Sequence, residues 1–249
     1  MAKMGKSYQM KRIASPWFYP LLRKEYKWSV KPIPGPHSIR KSIPLAILLR
    51  DVLKIADNLR EAKAIISSRK VLIDGSVITE YRFPVGLMDV IYIKEAEQYF
   101  RLIPHNTEFL FPVKISENES TIKPIRIIGK TTQKRGNIQL NLEDGKNILI
   151  KVEDPKAKQP LVKVGSTILL DLKKKEIINS FNVEEGSYVI AMGGRHVGEH
   201  GVIKKIREVN FKKAKYSTVI AEKSNGEAFE TNIANIMAIG KEKPYITLS

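Results

Sequence analysis

The chain has 249 residues, enough for one sizeable hydrophobic core or several small ones. Lys and Arg number 43 against 26 Asp and Glu, a formal net charge of +17, which predicts a polyanionic partner, most often nucleic acid. Cysteine is absent, which excludes disulfides and thiolate metal sites; no run of about 18 apolar residues marks a membrane span, and the charged start MAKMGKSYQMKR has no apolar segment behind it to read as a secretory signal.

The charge is uneven along the chain. Residues 1–41 hold ten basic residues and one acid, Glu25, a net of +9; residues 42–105, 106–178 and 179–249 carry +1, +5 and +2. The first segment also holds Pro16, Pro20, Pro32, Pro34 and Pro36, which break helices and remove ladder donors. Trp17, Phe18, Tyr19, Tyr26 and Trp28 are interleaved with its cations. Residues 1–41 therefore read as a long irregular arm that orders fully only against its partner. Its candidate RNA contacts are Lys3, Lys6, Lys11, Arg12, Arg23, Lys24, Lys27, Lys31, His37, Arg40 and Lys41, with Trp17 and Trp28 able to stack on exposed bases. The competing reading has the aromatics plugged into the neighbouring domain, and the two are compatible.

From Ser42 the pattern changes. In SIPLAILLRDVLKIA the residues Leu45, Leu48, Leu49 and Val52 form the apolar stripe of a helix, with Ser42 as N-cap and Pro44 in the first turn. Asn58 to Glu61 reads as a capping box opening a second helix. There Arg60, Lys63, Ser67 and Lys70 share a polar stripe, with Leu59, Ala62 and Ile66 turned inward. In KVLIDGSVI, Asp74-Gly75 predicts a hairpin with a type I′ turn, and residues 89–93 (DVIYI) predict a further strand.

This order resembles the alpha-L, or S-four, RNA-binding module, on Leu49–Asp51, Arg60–Ile66, Val71–Gly75 and Met88–Ile93. In that module the second helix and the following turn face RNA, which implies Arg60, Lys63, Arg69 and Lys70 here, together with Arg50. The flanks KRIASPWFYP and KPIPGPHSIRKSIPLAILLRDVLKIA, with PGPH followed by Arg40-x-Ser-Ile-Pro-Leu45, resemble the small-subunit ribosomal protein family S-four-e of archaea and eukaryotes, in an archaeal-type member. That resemblance continues to the end of the chain.

Residues 106–178 read as all-β: Ile138, Leu140 and Leu142 alternate, Glu-Asp-Gly-Lys turns, and Ile148, Ile150 and Val152 alternate again, with another strand at 167–172. The basic loops 131–136, with Lys134 and Arg135, and 173–175 are candidate RNA contacts. GGRHVGEHGVI at 193–203 contains an H-x-x-E-H spacing, which as a zinc site requires a helix. Gly193, Gly194, Gly198 and Gly201 argue against that helix, and no phosphate-loop pattern is present. Residues 184–206 resemble a KOW motif, in which a strand, a glycine-bearing loop and Gly-Val-Ile form part of a small barrel. Arg195, His196 and His200 are its candidate RNA contacts, and strand alternation should send Lys204 and Lys205 to opposite faces.

The expected fold is thus α+β and multi-domain. It comprises an extended basic arm (1–41), a two-helix plus hairpin RNA-binding module (42–105), a central all-β domain (106–178), and a KOW barrel with C-terminal tail (179–249). The expected function is a structural constituent of the small ribosomal subunit in the cytoplasm. It would bind small-subunit ribosomal RNA and neighbouring ribosomal proteins, without catalytic residues, metal, cofactor, membrane or small-molecule substrate. The alternatives are a free translation or transcription factor and an RNA-modifying enzyme with an appended RNA-binding module.

Overall fold

The computed structural model describes residues 9–22, 24–151, 162–207, 217–223 and 225–248. Among them, no helix is long and apolar enough to cross a membrane. The candidates Lys3, Lys6 and Arg23, and Val152, lie outside the described residues, and nothing is described of the Arg135 side chain.

From residue 9 onward the described N-terminal residues fold against the main body. Strand β1 (Met10–Lys11) pairs antiparallel with β2 (Trp28–Ser29), and the loop between them folds back on itself. The Arg12 side chain ties that loop, its Nε and Nη2 donating to the Leu21 carbonyl at 3.0 and 2.6 Å. Met10, Phe18 and Tyr19 are buried in the main core, and the Tyr19 hydroxyl donates to the Ser42 carbonyl at 3.0 Å. Burial pushes the Tyr19 phenol well above its ordinary value. Burying two aromatic rings stabilises this docking, with each fully buried large apolar side chain worth roughly 1.5–3 kcal/mol.

The expected first helix is replaced in part by a strand. Ser42–Pro44 form β3, paired with β6 (Pro84–Gly86), and Ser42 is buried, its hydroxyl donating to the Ser38 carbonyl instead of capping a helix. Helix α1 (Leu45–Ile47) starts only after Pro44 and widens into a π coil over Leu48–Val52, where the Leu53 N–H reaches back five residues to the Leu48 carbonyl at 2.8 Å. Leu45 through Leu49 are all fully buried, so this segment is apolar all round rather than striped. Helix α2 (Leu59–Ser67) follows the expected pattern. Asn58 Oδ1 accepts from the Glu61 N–H at 2.9 Å, Glu61 reaches back to the Asp57 N–H at 2.8 Å, and Ala62 and Ile66 are buried.

Strands β4 (Val71–Ile73) and β5 (Ser76–Val77) form the expected hairpin; Asp74 and Gly75 both have positive φ, 49° and 76°, as a type I′ turn requires. With β7 (Val90–Ile93), β8 (Gln98–His105) and β9 (Phe109–Ile115) they make a five-stranded sheet in the order β5-β4-β7-β8-β9. The expected break between 105 and 106 therefore falls inside the β8–β9 hairpin, whose seven paired positions keep residues 109–115 in the first sheet.

A one-turn helix α3 (Glu117–Ser120) leads into the second sheet. It contains β10 (Ile122–Thr132), β11 (Ile138–Leu142), β12 (Asn147–Ile150), β13 (Thr167–Asp171) and β14 (Ile177–Phe181), in the order β12-β11-β10-β13-β14. Strand β14 crosses the expected 178/179 boundary and carries the buried Phe181.

The third sheet contains β15 (Ser187–Ala191), β16 (His200–Arg207), β17 (Thr218–Glu222), β18 (Ala228–Asn232) and β19 (Ile236–Lys241), in the order β18-β17-β16-β15-β19. Only Ile233–Asn235 join β18 to β19 at the opposite edge. In a flat sheet those edges would stand roughly 19 Å apart, whereas the four peptide steps available span about 14 Å. The sheet is therefore curled until its edges approach. A bulge between Ile203 and Lys205 breaks the alternation in β16, so Lys204 and Lys205 are both exposed instead of facing opposite ways.

The sheets share cores. Leu169 and Phe181 of the second sheet pack with Val189, Ile203 and Phe229 of the third, and Met88 of the first packs with Ile190 and Met237. The C-terminal tail closes the assembly: Ile246 is buried, and Thr247 donates from its N–H and its hydroxyl to Glu119 at 3.0 and 2.7 Å.

Candidate nucleic-acid interface

The structure divides the cations into those spent inside the protein and those offered to solvent. The spent ones start with Lys123 on β10, which is 2% exposed. Its ammonium donates to Asp74 of the β4–β5 turn at 2.5 Å and to Asp89 at 2.6 Å, and lies 3.7 Å from Asp144. Lys146 joins from the β11–β12 turn, 3.1 Å from both Asp74 and Asp144. His37 enters the same cluster through Nε2, 3.0 Å from Asp89 Oδ1, and its side chain is 9% exposed. Burial alone would push the Asp89 carboxyl up, but Lys123, His37 and the Gly86 N–H together hold it well below the usual carboxylate range. Burial likewise opposes charge on Lys123, and the three carboxylates outweigh it, raising the ammonium above its ordinary value. Arg101 is fully buried, where it bonds the Glu119 side chain, the Glu119 carbonyl and the Ile122 carbonyl. Arg126 pairs with Glu143 and donates to the carbonyls of Ala234 and Ile236. These contacts lock the three sheets together. The sequence singles out none of Lys123, Lys146, Arg101 and Arg126, because a cation in a strand pattern carries no mark of the carboxylates it will meet.

Two of the expected RNA contacts are engaged within the protein. The His37 side chain, 9% exposed, partners Asp89. Arg12 is half-buried, and its guanidinium holds the Leu21 carbonyl.

The remaining candidates lie nearer solvent. Lys11, Lys24, Arg40, Arg60, Arg69, Lys134 and Arg195 are exposed, and none has an acidic partner among the described residues. Lys31 is half-buried. Trp17 is 69% exposed, although its ring also meets Phe18 and Phe109 edge-on, and Ile13 and Leu22 of the same segment are exposed too. Lys27 lies 5.6 Å from the centroid of the Trp28 ring, and Lys63 lies 4.2 Å from that of Tyr81. Arg50 is held bidentately by Asp51, at 2.9 and 2.8 Å, with its guanidinium 5.6 Å from the Tyr26 ring. Lys41 pairs with Glu143 and Lys70 with Glu95, in both cases at the surface. On α2 the polar stripe is where the sequence placed it, but Tyr81, which seats Lys63, was not singled out; a lone tyrosine in a loop gives no periodic signal.

The glycine-rich loop is a turn between strands. His196 Nδ1 lies 2.8 Å from Glu199, whose other oxygen takes Lys223 at 3.0 Å. His200 begins β16, and its Nδ1 lies 2.7 Å from the Tyr188 hydroxyl. Burial, with the Lys223 charge behind it, lowers the His200 pKa from its ordinary value. The loop presses on the first sheet: a Cβ on Gly198, at φ +85°, would stand 2.9 Å from the His105 backbone. Gly201 serves close approach rather than turning, since a Cβ there would fall 2.1 Å from the Glu222 carbonyl oxygen. Arg195 remains at the tip, exposed.

The sequence matches three family models in succession: the RS4NT domain over residues 4–40, the S4 domain over 43–91 and ribosomal family S4e over 96–177. It is 49% identical over 231 residues to small ribosomal subunit protein eS4 of Sulfurisphaera tokodaii, covering 92% of this chain and 93% of that protein. The eS4 protein of Metallosphaera sedula is 44% identical over 236 residues, 94% of this chain and 97% of that one. The fold is similar to the crystal structure of the 30S ribosomal protein S4e from Thermoplasma acidophilum, with a TM-score of 0.66 and 25% identity, over 81% of this chain and 96% of that one.

Proposed function

The chain belongs to ribosomal family S4e, and on that premise we propose that it grips small-subunit ribosomal RNA through the outer faces of its N-terminal segment and of α2. It is a structural constituent of the small ribosomal subunit, working in translation in the cytoplasm. Neighbouring ribosomal proteins share its surface, and no catalysis is required of it. The function is electrostatic and architectural: cations displace condensed counterions from phosphates while a rigid body fixes their spacing.

One observation carries the assignment of the faces. Lys11, Lys24 and Arg40 in the N-terminal segment and Arg60 and Arg69 on and after α2 are exposed without acidic partners among the described residues, whereas the cations between the sheets are paired with Asp74, Asp89, Asp144 and Glu119. The four-part division serves this reading, with its boundaries moved to follow β9 and β14. Residues 42–115 then form the RNA-binding module with its two helical segments, and the curled third sheet is the KOW barrel, presenting Arg195. In-cell ultraviolet crosslinking with sequencing of the attached RNA tests the proposal. Crosslinks concentrated at a few positions of small-subunit ribosomal RNA, on peptides from residues 9–41 and from α2, are expected. Crosslinks scattered over messenger or transfer RNA would overturn it in favour of a mobile factor.

A further inference from the structure

Between the β1–β2 ribbon and the start of α2 lies a groove of about 630 Å³. Its floor is apolar, formed by Leu21, Val30, Ile47 and Leu59. Its walls hold three aromatic rings, of which Tyr26 and Trp28 are 52% and 47% exposed. Large rings so exposed are costly to leave in water and offer flat faces. Each also has a cation beside it. Arg50 stands over Tyr26, Lys27 over Trp28, and Lys63 with Arg82 over Tyr81.

We propose that this groove is a pocket for a single unstacked nucleotide of the bound RNA, its base inserted beside Tyr26 and Trp28 and its phosphates held by Arg50 and Lys63. The inference rests on the RNA-binding reading above and adds a defined subsite to it. The volume lies within the range of pockets that enclose one small ligand, roughly 300–1,000 Å³. A duplex presents no free base face, so the pocket selects single-stranded, looped or bulged RNA. The Asp51 carboxylate fixes the Arg50 fork by two bonds, at 2.9 and 2.8 Å, so that little side-chain freedom remains to be lost when a phosphate arrives. Asp57 also lines the groove, and its carboxylate can accept from the amino donors of a base edge.

The test uses the full-length protein and two fluorescein-labelled RNA probes, a ten-nucleotide oligouridine strand and a ten-base-pair duplex, titrated by anisotropy. Replacing both rings, Tyr26→Leu with Trp28→Leu, is expected to weaken single-strand binding about tenfold or more and to leave duplex binding unchanged, while Trp28→Phe keeps most of the single-strand affinity. Unaltered single-strand binding, or equal losses on both probes, would overturn the pocket while leaving the wider RNA-binding reading intact. A wild-type protein that bound neither probe nor small-subunit ribosomal RNA would overturn both. Ultraviolet crosslinking of unaltered protein in assembled small subunits gives a check free of variants. A nucleotide attached to Tyr26 or Trp28 is expected, and a protein segment found there instead would overturn the proposal.

Discussion

The ammonium of Lys123, on the second sheet, lies 2.6 Å from the carboxylate of Asp89, which precedes β7 of the first. Both side chains are essentially excluded from water, at 2% and 1% exposure. A buried ion pair adds little net stability over an apolar substitute, but removing one partner strands the other. Lys123→Met leaves Asp74, Asp89 and Asp144 facing one another, answered by Lys146, His37 and the backbone N–H groups of Gly86, Val90 and Lys146. The expected loss is about 3–5 kcal/mol in urea unfolding. A loss below about 1 kcal/mol would show that water or neighbouring groups replace the lysine at no cost.

The salt dependence of RNA binding separates outward cations from inward ones. Each phosphate neutralised contributes roughly −0.7 to the slope of log K against log salt on single strands and −0.9 on duplex. With on the order of ten phosphates engaged on looped RNA, the wild-type slope is expected near −7. Arg60→Ala with Arg69→Ala removes two exposed cations that have no acidic partner among the described residues. The slope should flatten by about 1.4–1.8 with unfolding free energy unchanged. An unaltered slope would move the RNA away from α2.

Two glycines predict opposite tolerances. At Gly201 an added methyl would meet the Glu222 carbonyl oxygen at 2.1 Å, where backbone pairs with backbone and neither strand can retreat. Gly201→Ala should cost about 3 kcal/mol or more and loosen the third sheet. At Gly75 the space is open and only the φ of +76° resists. Gly75→Ala should therefore cost about 1–2 kcal/mol. Equal melting temperatures for the two variants would contradict the close approach at β16.

What the sequence made legible follows from the range of the forces involved. The Asp74-Gly75 turn, the Asn58 cap and the alternation through Leu140 and Leu142 are set by residues a few positions apart, and all appear as read. The strand at Ser42–Pro44 was missed because its partner, Pro84–Gly86, lies some forty residues away and the intervening apolar run fits a helix equally well. For the N-terminal segment the sequence admits both an arm and aromatics plugged into the neighbouring domain, because nothing near Tyr19 in sequence announces the Ser42 carbonyl or the core that receives its ring. Site residues divided similarly. Exposure of Arg60 follows from local pattern, whereas the fates of Lys123, Arg101 and His37 depend on carboxylates and carbonyls brought in by other elements.

The pH dependence of stability follows from His200 and Asp89. In the folded protein the His200 imidazole is half-buried and bonded to the Tyr188 hydroxyl, and its pKa lies below the ordinary value of 6.5. The unfolded chain then binds more protons than the native one in the window below 6.5, so stability rises with pH through that window and is complete above it. On acidification the loss starts near pH 6.5, at no more than about 1.4 kcal/mol per pH unit for this single group. His200→Gln should flatten this part of the curve while leaving the deeper acid loss in place. That deeper loss belongs to Asp89, whose lowered pKa gives stability present above its unfolded value, about 3.9, and lost as pH falls further. The measurement is urea unfolding between about pH 2.5 and 8 for both proteins. Parallel curves between pH 5 and 7 would show that burial of His200 carries no proton linkage and would remove the Tyr188–His200 bond from the account of acid sensitivity.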